Sequence, residues 1–239
     1  MPRVVVLGCG TGVGKTRVSV ALLRELTGGH RTCVGLKPIE SGVPQGPESP
    51  ATGTDARALA EAGSFQTQAQ HPLYALPTPV SPHLAARTAG IEIALPRVAR
   101  WVEEIEEIES RMTLHVLSDS VIWSVVETAG GVFSPLSPAT TNYDLACALE
   151  PAIWVLVGAD ALGVLHELSA TLQAMRARGR VPDRVVLSAA RESDASTGSN
   201  ARELSALGIV TPTAVLGRND DRGIRDLVQS LLASEAETA

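Results

Sequence analysis

The chain has 239 residues, 44% of them hydrophobic and 19% charged, with a formal net charge of −6. That length suits one α/β domain with a sizeable core and is short for two. A mildly acidic chain without a Lys/Arg block is a poor partner for nucleic acid. Cys9, Cys33 and Cys147 form no CxxC pair, so neither a disulfide framework nor a zinc ribbon is expected.

In chain order, Val4–Leu7 is a short β-branched run that reads as a buried strand, closed by Gly8. Residues 15–26 place Val18, Ala21, Leu22 and Leu26 at helical spacing, and Gly28-Gly29 stops them. Thr32–Leu36 is a second strand, running into Lys37-Pro38. Residues 43–54, rich in Pro, Gly, Ser and Thr, predict a loop. Asp55–Ala62 predicts a helix with Asp55 as its N-cap. A Pro-rich loop, Pro77–Pro82, precedes a further helical stretch, and Leu95–Arg111 is a strong helix. Its Glu103–Glu107 cluster reads as a solvated face.

Val121–Val126 is a strand ending in Glu127; Ile153–Val157, Val185–Leu187 and Val210–Val215 are three more. Helices are expected at about 162–178, 200–207 and 223–234, while 108–120 resists assignment. Strands alternating with helices predict right-handed βαβ units. The expected fold is a single α/β domain over 1–239, a mostly parallel sheet with helices on both faces. The N-terminal run is too short for a signal peptide and no apolar run nears a membrane span, so a cytoplasmic protein is expected.

Gly8-Cys9-Gly10-Thr11-Gly12-Val13-Gly14-Lys15-Thr16 follows the first strand and opens the first helix. The phosphate-loop pattern G-x-x-x-x-G-K-[ST] fails at one position, where Cys9 stands for the first glycine. Small residues still allow successive backbone N–H groups to converge on phosphate oxygens. The helix start adds partial positive charge. Gly10, Gly12, Val13 and Gly14 are the expected cradle, Lys15 the phosphate cation and Thr16 the Mg²⁺ hydroxyl. Lys37 ends a parallel strand, where open α/β sheets bind ligands. Glu127 also ends a strand, before Thr128-Ala129-Gly130-Gly131, and can hold Mg²⁺ or its waters. His83 after Ser81-Pro82 is weak alone, and no Ser-His-Asp constellation is evident.

Taken together these segments resemble the dethiobiotin synthetases. The first loop looks like that family's G-T-[DG]-T-x-V-G-K-T, and Lys37-Pro38-Ile39-Glu40-Ser41-Gly42 like its K-P-x-x-S-G. Pro77-Thr78-Pro79-Val80-Ser81-Pro82-His83 looks like its P-x-x-S-P-H, and Glu127-Thr128-Ala129-Gly130-Gly131, with Pro135-Leu136, like its E-G-A-G-G and later P-L. Leu162-Gly163 resembles its L-G-x-x-N-H segment.

The resemblance implies a P-loop ligase using ATP and Mg²⁺ to join CO₂ to 7,8-diaminopelargonate. It implies Mg²⁺ contacts from Thr16, Asp55 and Glu127, Lys15 on the phosphates and Lys37 at the carbamate and γ-phosphate. Thr11 and Ser41 would help to bind the carbamate or diamine, and the loop at Gly217 the nucleotide. It also implies a homodimer with the active site near the subunit interface, where the substrate's carboxylate tail meets a helix start near Leu162-Gly163-Val164.

Departures are Cys9 for a threonine, Thr128 for a glycine, and Leu165-His166 for the family's Asn-His. Ser188-Ala189-Ala190-Arg191 stands where the family's adenine-reading Asn is expected, so weak discrimination between nucleobases follows. Two alternatives remain. One is a related ligase or amidotransferase with another substrate. The other is a ParA/MinD-like switch ATPase, which carries an early signature lysine that this loop lacks.

Overall fold

Strand β1 (Arg3–Gly8) lies at the middle of the sheet because its side chains are apolar on both faces. Val4 and Val6 point into one core and Val5 and Leu7 into the other. Such a strand is stable only when both faces are covered. In the computed structural model, which describes residues 1–44, 54–64, 71–114 and 122–236, helices cover both.

On the first face lie α1 (Lys15–Gly28), α2 (Asp55–Ala62) and α8 (Arg222–Ala236). On the second lie α3 (Pro82–Thr88), α4 (Leu95–Leu114), α5 (Asn142–Ala148), α6 (Val164–Ala177) and α7 (Asn200–Ala206). The sheet is wholly parallel. It adds β2 (Thr32–Leu36), β5 (Ile122–Glu127), β6 (Ile153–Asp160), β7 (Arg184–Ala189) and β8 (Ala214–Leu216) in the order β2-β5-β1-β6-β7-β8. Two short strands, β3 (Ile39–Ser41) and β4 (Tyr74–Leu76), form a separate parallel pair.

The expected α/β fold stands, with local differences. β8 is shorter than Val210–Val215. The amides of Ile209 and Val210 turn back to the Leu204 carbonyl and close α7, and Pro212 has no N–H to donate. The ladder starts only with Thr213 N–H donating to Val185 O at 2.7 Å. Helix α5 was not anticipated, although Thr141-Asn142-Tyr143-Asp144 carries a start signal. The Thr141 amide donates to the Asp144 carboxylate at 2.8 Å. Strands β3 and β4, of three residues each, are too short to leave a periodic signature. The Asp55 helix is capped not by Asp55 but by Thr54, whose hydroxyl accepts from Arg57 N–H at 3.3 Å. Most of the predicted 43–54 loop, and residues 115–120 of the unassigned stretch, lie outside the described residues; 108–114 continue α4.

The Glu103–Glu107 cluster is not uniformly solvated. Glu103, Glu104 and Glu107 are exposed, but Glu106 is buried. It accepts two bonds from the Arg3 guanidinium (2.8 and 2.6 Å) and one from the Ser124 hydroxyl (2.6 Å). This forked pair joins the start of β1 to α4. Because both charges are largely desolvated, Glu106→Ala leaves a buried guanidinium without its counter-ion. Urea denaturation of this variant is expected to show a loss of roughly 3–5 kcal/mol.

Candidate active site

Parallel strands deliver their carboxyl ends to one edge of the sheet, and there a cleft of about 860 Å³ opens. Thr11, Gly12, Gly14, Lys15 and Thr16 line it from the loop between β1 and α1. Lys37 enters after β2, Ser41 from β3, Asp55 from the start of α2, and Glu127 from the end of β5. Nine of the residues expected to carry function therefore meet in one cavity. Three do not line it. Gly10 packs against the turn at Gly131, the Val13 side chain is buried in the core, and the Gly217 carbonyl accepts from Arg17.

The loop takes its shape from backbone conformations open to glycine. Gly12 (φ 74°) and Gly14 (φ 92°) are left-handed. A Cβ on Gly14 would also fall 2.4 Å from the Ser188 hydroxyl, so the start of α1 is pressed onto β7. Lys15, the next residue, is buried. Burial, followed by repulsion from Lys37, lowers its ammonium pKa to about 8.

Lys37 is the centre of the site. Its ammonium donates to Asp55 Oδ2 at 3.0 Å, to Glu127 Oε1 and to the Thr128 carbonyl at 3.4 Å. Burial pulls its pKa down, but Glu127 and Asp55 outweigh this and hold the amine protonated. Burial raises the Asp55 pKa and the charge and hydrogen bond of Lys37 overcome it, leaving the group below its usual range. The Thr16 hydroxyl donates to Glu127 Oε1 at 2.8 Å. Glu127 Oε2 is buried and has no hydrogen-bond partner among the described residues. Thr16, Asp55 and Glu127 thus form a set of hard oxygen donors with one oxygen unsatisfied, which fits Mg²⁺, an ion that takes few protein ligands and keeps several waters. None of the described His, Cys, Asp and Glu side chains forms a larger metal cage.

Two supporting residues escaped the sequence reading. Glu40 accepts from the amides of Asp55 (2.7 Å) and Ala56 (3.0 Å), satisfying the start of α2 and fixing where Asp55 points. Burial raises the Glu40 pKa, and these amides work against it. Asn142 donates to the carbonyls of Ala129 (2.6 Å) and Gly131 (2.9 Å), holding the turn after Glu127. Glu40 lay inside the Lys37–Gly42 motif, whereas a buried amide gripping two carbonyls has no short-range signal.

The departures also have local partners. The Cys9 thiol donates to Glu167 at 3.3 Å, and burial together with this carboxylate pushes its pKa up to about 12, so it stays protonated. Thr128 directs both its amide and its hydroxyl to the Val6 carbonyl, each at 3.1 Å. At the start of α6, which was expected near Leu162-Gly163-Val164 to meet a substrate carboxylate, the Leu162 amide already donates to Asp194 at 2.8 Å. His83 does not line the cleft; its ring nitrogen pairs with the Ser81 hydroxyl at 3.0 Å.

Comparison with known proteins agrees with this geometry. A family model described as an AAA domain matches residues 2–221. An ATP-dependent dethiobiotin synthetase of Anaeromyxobacter dehalogenans is 35% identical over 214 residues, covering 88% of this chain and 87% of the relative. That of Nitrosospira multiformis is 36% identical over 173 residues, covering 72% of this chain and 69% of the relative. Among solved structures, a ParA family ATPase from Chlorobium tepidum superposes with a TM-score of 0.51 at 13% identity, over 98% of this chain and 91% of the other. The MinC:MinD complex of Aquifex aeolicus gives 0.50 at 11%, over 98% and 96%. At such identities the two structures speak for the fold alone. The sequence relatives go further: the chain belongs to the dethiobiotin synthetase family of P-loop proteins.

Proposed function

We propose that this protein forms dethiobiotin from 7,8-diaminopelargonate, CO₂ and ATP, releasing ADP and phosphate. The observation that carries the reading is the pairing of two buried ammonium groups, Lys15 and Lys37, with the oxygen set of Thr16, Asp55 and Glu127 in one cleft. An amine of the substrate adds to CO₂ and loses a proton, giving a carbamate. The carbamate oxygen attacks the γ-phosphorus of ATP, and ADP leaves. The second amine then attacks the carbonyl carbon of this mixed anhydride, phosphate departs, and the ureido ring closes.

Each residue has a place in that sequence. The amides of the Thr11–Gly14 loop and the Lys15 ammonium hold the phosphates. Thr16, Asp55 and Glu127 would hold Mg²⁺, which would neutralise charge on the triphosphate. Lys37 faces the transferring group and stabilises negative charge on the carbamate and the γ-phosphate. The Ser41 hydroxyl, buried without a partner among the described residues, is free to accept from a substrate amine or donate to the carbamate. The cleft walls at Pro79–Pro82 exclude water from the anhydride.

A homodimer acting in the cytoplasm accords with this chemistry, and the 84% exposed Leu162 beside the α6 start suits a subunit contact. No helix among the described residues is long and apolar enough to cross a membrane. With the Leu162 amide engaged by Asp194, the α6 start offers the substrate tail one donor fewer.

Incubation with diaminopelargonate, bicarbonate, ATP and Mg²⁺, with dethiobiotin detected by mass, tests the reading; absence of product refutes it. Lys15→Ala and Lys37→Ala should each cost ~3–4 kcal/mol of transition-state stabilisation, roughly 10²–10³-fold in kcat, with unchanged circular dichroism. Near-parental turnover in either variant would remove its assigned role.

Lys37 and Mg²⁺ compete for the same carboxylates. Without nucleotide, Mg²⁺ should therefore raise the melting temperature of Lys37→Ala more than that of the parent. Equal increments would place the ion elsewhere.

Lys15 supplies a pH signature. Its pKa of about 8 lies below the 10.5 of a free lysine, so folding costs it proton affinity, and its unfavourable contribution to stability is relieved as pH rises through 8 towards 10.5. A bound triphosphate restores that affinity. Calorimetric titration with ADP and Mg²⁺ at pH 8, in buffers of different ionisation enthalpy, should show uptake of about half a proton. The uptake should vanish in Lys15→Met and shrink towards pH 6.5; a pH-independent value would assign the low pKa to nothing that touches nucleotide.

A further inference from the structure

The three oxygen donors assigned to Mg²⁺ are not held by the same means. Glu127 ends β5 with its side chain fully buried, and Thr16 lies in the first turn of α1 with its hydroxyl on Glu127. Strand and packing fix both. The Asp55 side chain is 44% exposed and stands on the first residue of α2, a helix of eight residues. Packing does not settle where this carboxylate points, so the backbone at the helix start must.

That start has two acceptors with different tasks. The Thr54 hydroxyl takes the Arg57 amide at 3.3 Å, as a cap does. The amides of Asp55 and Ala56 come earlier and have no helical carbonyl behind them. Both donate to Glu40, at 2.7 Å to Oε1 and at 3.0 Å to Oε2. Glu40 is buried and is the middle residue of β3, where it pairs with Ala75 of β4. It is therefore anchored by the β3–β4 pair and not by the helix that it caps. Only Pro38 and Ile39 separate it from Lys37, whose ammonium holds Asp55 Oδ2 at 3.0 Å. One short stretch of chain thus grips Asp55 twice, by its side chain through Lys37 and by its backbone through Glu40.

We propose that Glu40 is a positioning residue for Mg²⁺: it keeps the Asp55 carboxylate at the ion once that carboxylate has left Lys37. The two grips differ in what the ion does to them. Mg²⁺ competes with Lys37 for the carboxylate, so that bond is weakened as the ion arrives, whereas the bonds from Glu40 to the backbone amides persist. Both Glu40 oxygens are engaged by those amides, so it acts through Asp55. The proposal rests on the reading of Thr16, Asp55 and Glu127 as the metal donors.

Calorimetric binding of the β,γ-imido analogue of ATP to the intact protein, with and without Mg²⁺, tests this without turnover. The ratio of the two dissociation constants is the gain that the ion supplies. In Glu40→Gln the side-chain oxygen still accepts one amide, but the NH₂ group cannot accept the other. Metal-free affinity should stay within about twofold of the parent's, while the gain from Mg²⁺ shrinks roughly 10-fold. Losing a negative charge near the cleft would also weaken a cation, and an Asp55→Asn background, which leaves Thr16 and Glu127 for the ion, separates the two effects. Action through Asp55 requires that Glu40→Gln change nothing further there. An unchanged gain in Glu40→Gln, an equal loss in the Asp55→Asn background, or a loss of metal-free binding overturns the proposal and leaves the metal reading standing. A parent whose affinity is indifferent to Mg²⁺ refutes the metal reading itself, and this proposal with it.

Discussion

A buried ammonium between two carboxylates organises the working edge of this molecule. Lys37 arrives from β2, Asp55 from α2 and Glu127 from β5, so one cluster of charge ties three elements that lie far apart in the chain. Taking such charges out of water is unfavourable, and their mutual attraction offsets it only when the geometry is good and the remaining polar groups are bonded. The surroundings supply this: Thr16 donates to Glu127, the Thr128 carbonyl accepts from Lys37, and Glu40 orients the helix start that carries Asp55. The Glu127 oxygen left without a partner among the described residues is the point at which the cluster is incomplete as a purely structural device. A core built for stability alone would do as well with apolar side chains in these positions. Charge here is better explained as pre-arranged for a ligand that carries its own.

The sheet could be read from the sequence because its strands are buried on both faces. Runs such as Val4–Leu7 and Ile153–Val157 have no polar alternative and stand out against glycine-bounded loops. The site could be read because parallel strands bring their carboxyl ends together by necessity, so Lys37 and Glu127 had to converge on the loop before Lys15. What could not be read was set by tertiary contact. Glu106 looks like one solvated acid among several until β1 brings Arg3 beside it. The last strand is cut short because the amide of Val210 closes a helix, which no apolar pattern records. Asn142 and Arg218 act by gripping carbonyls of remote turns, and carbonyls carry no sequence identity.

Substitutions within the family motifs show how the same geometry tolerates different chemistry. Thr128 adds a hydroxyl bond to Val6 O beside the backbone amide bond that a glycine would also make. Cys9 keeps a donor in place: its thiol stays protonated and donates a hydrogen bond to the Glu167 carboxylate, so it is not a reactive thiolate. These changes leave the loop before Lys15 and the Lys37–Asp55–Glu127 cluster in place. The chain differs more from the family's motifs at Ser188–Arg191 and at the start of α6, where Asp194 takes the Leu162 amide.

The central position of β1 has a consequence for how the molecule opens. Hydrogen-bonded to β5 and β6 and buried in both cores, it belongs to the part of the protein whose amides exchange only on global unfolding. The edge formed by β8, three residues long and paired on one side, can open locally at far lower free energy. Because the phosphate loop hangs directly from β1, its amide nest persists through those partial openings, while the end over β7 and β8 loosens with the edge. Partial opening of the β8 edge thus leaves the loop before Lys15 on its strand.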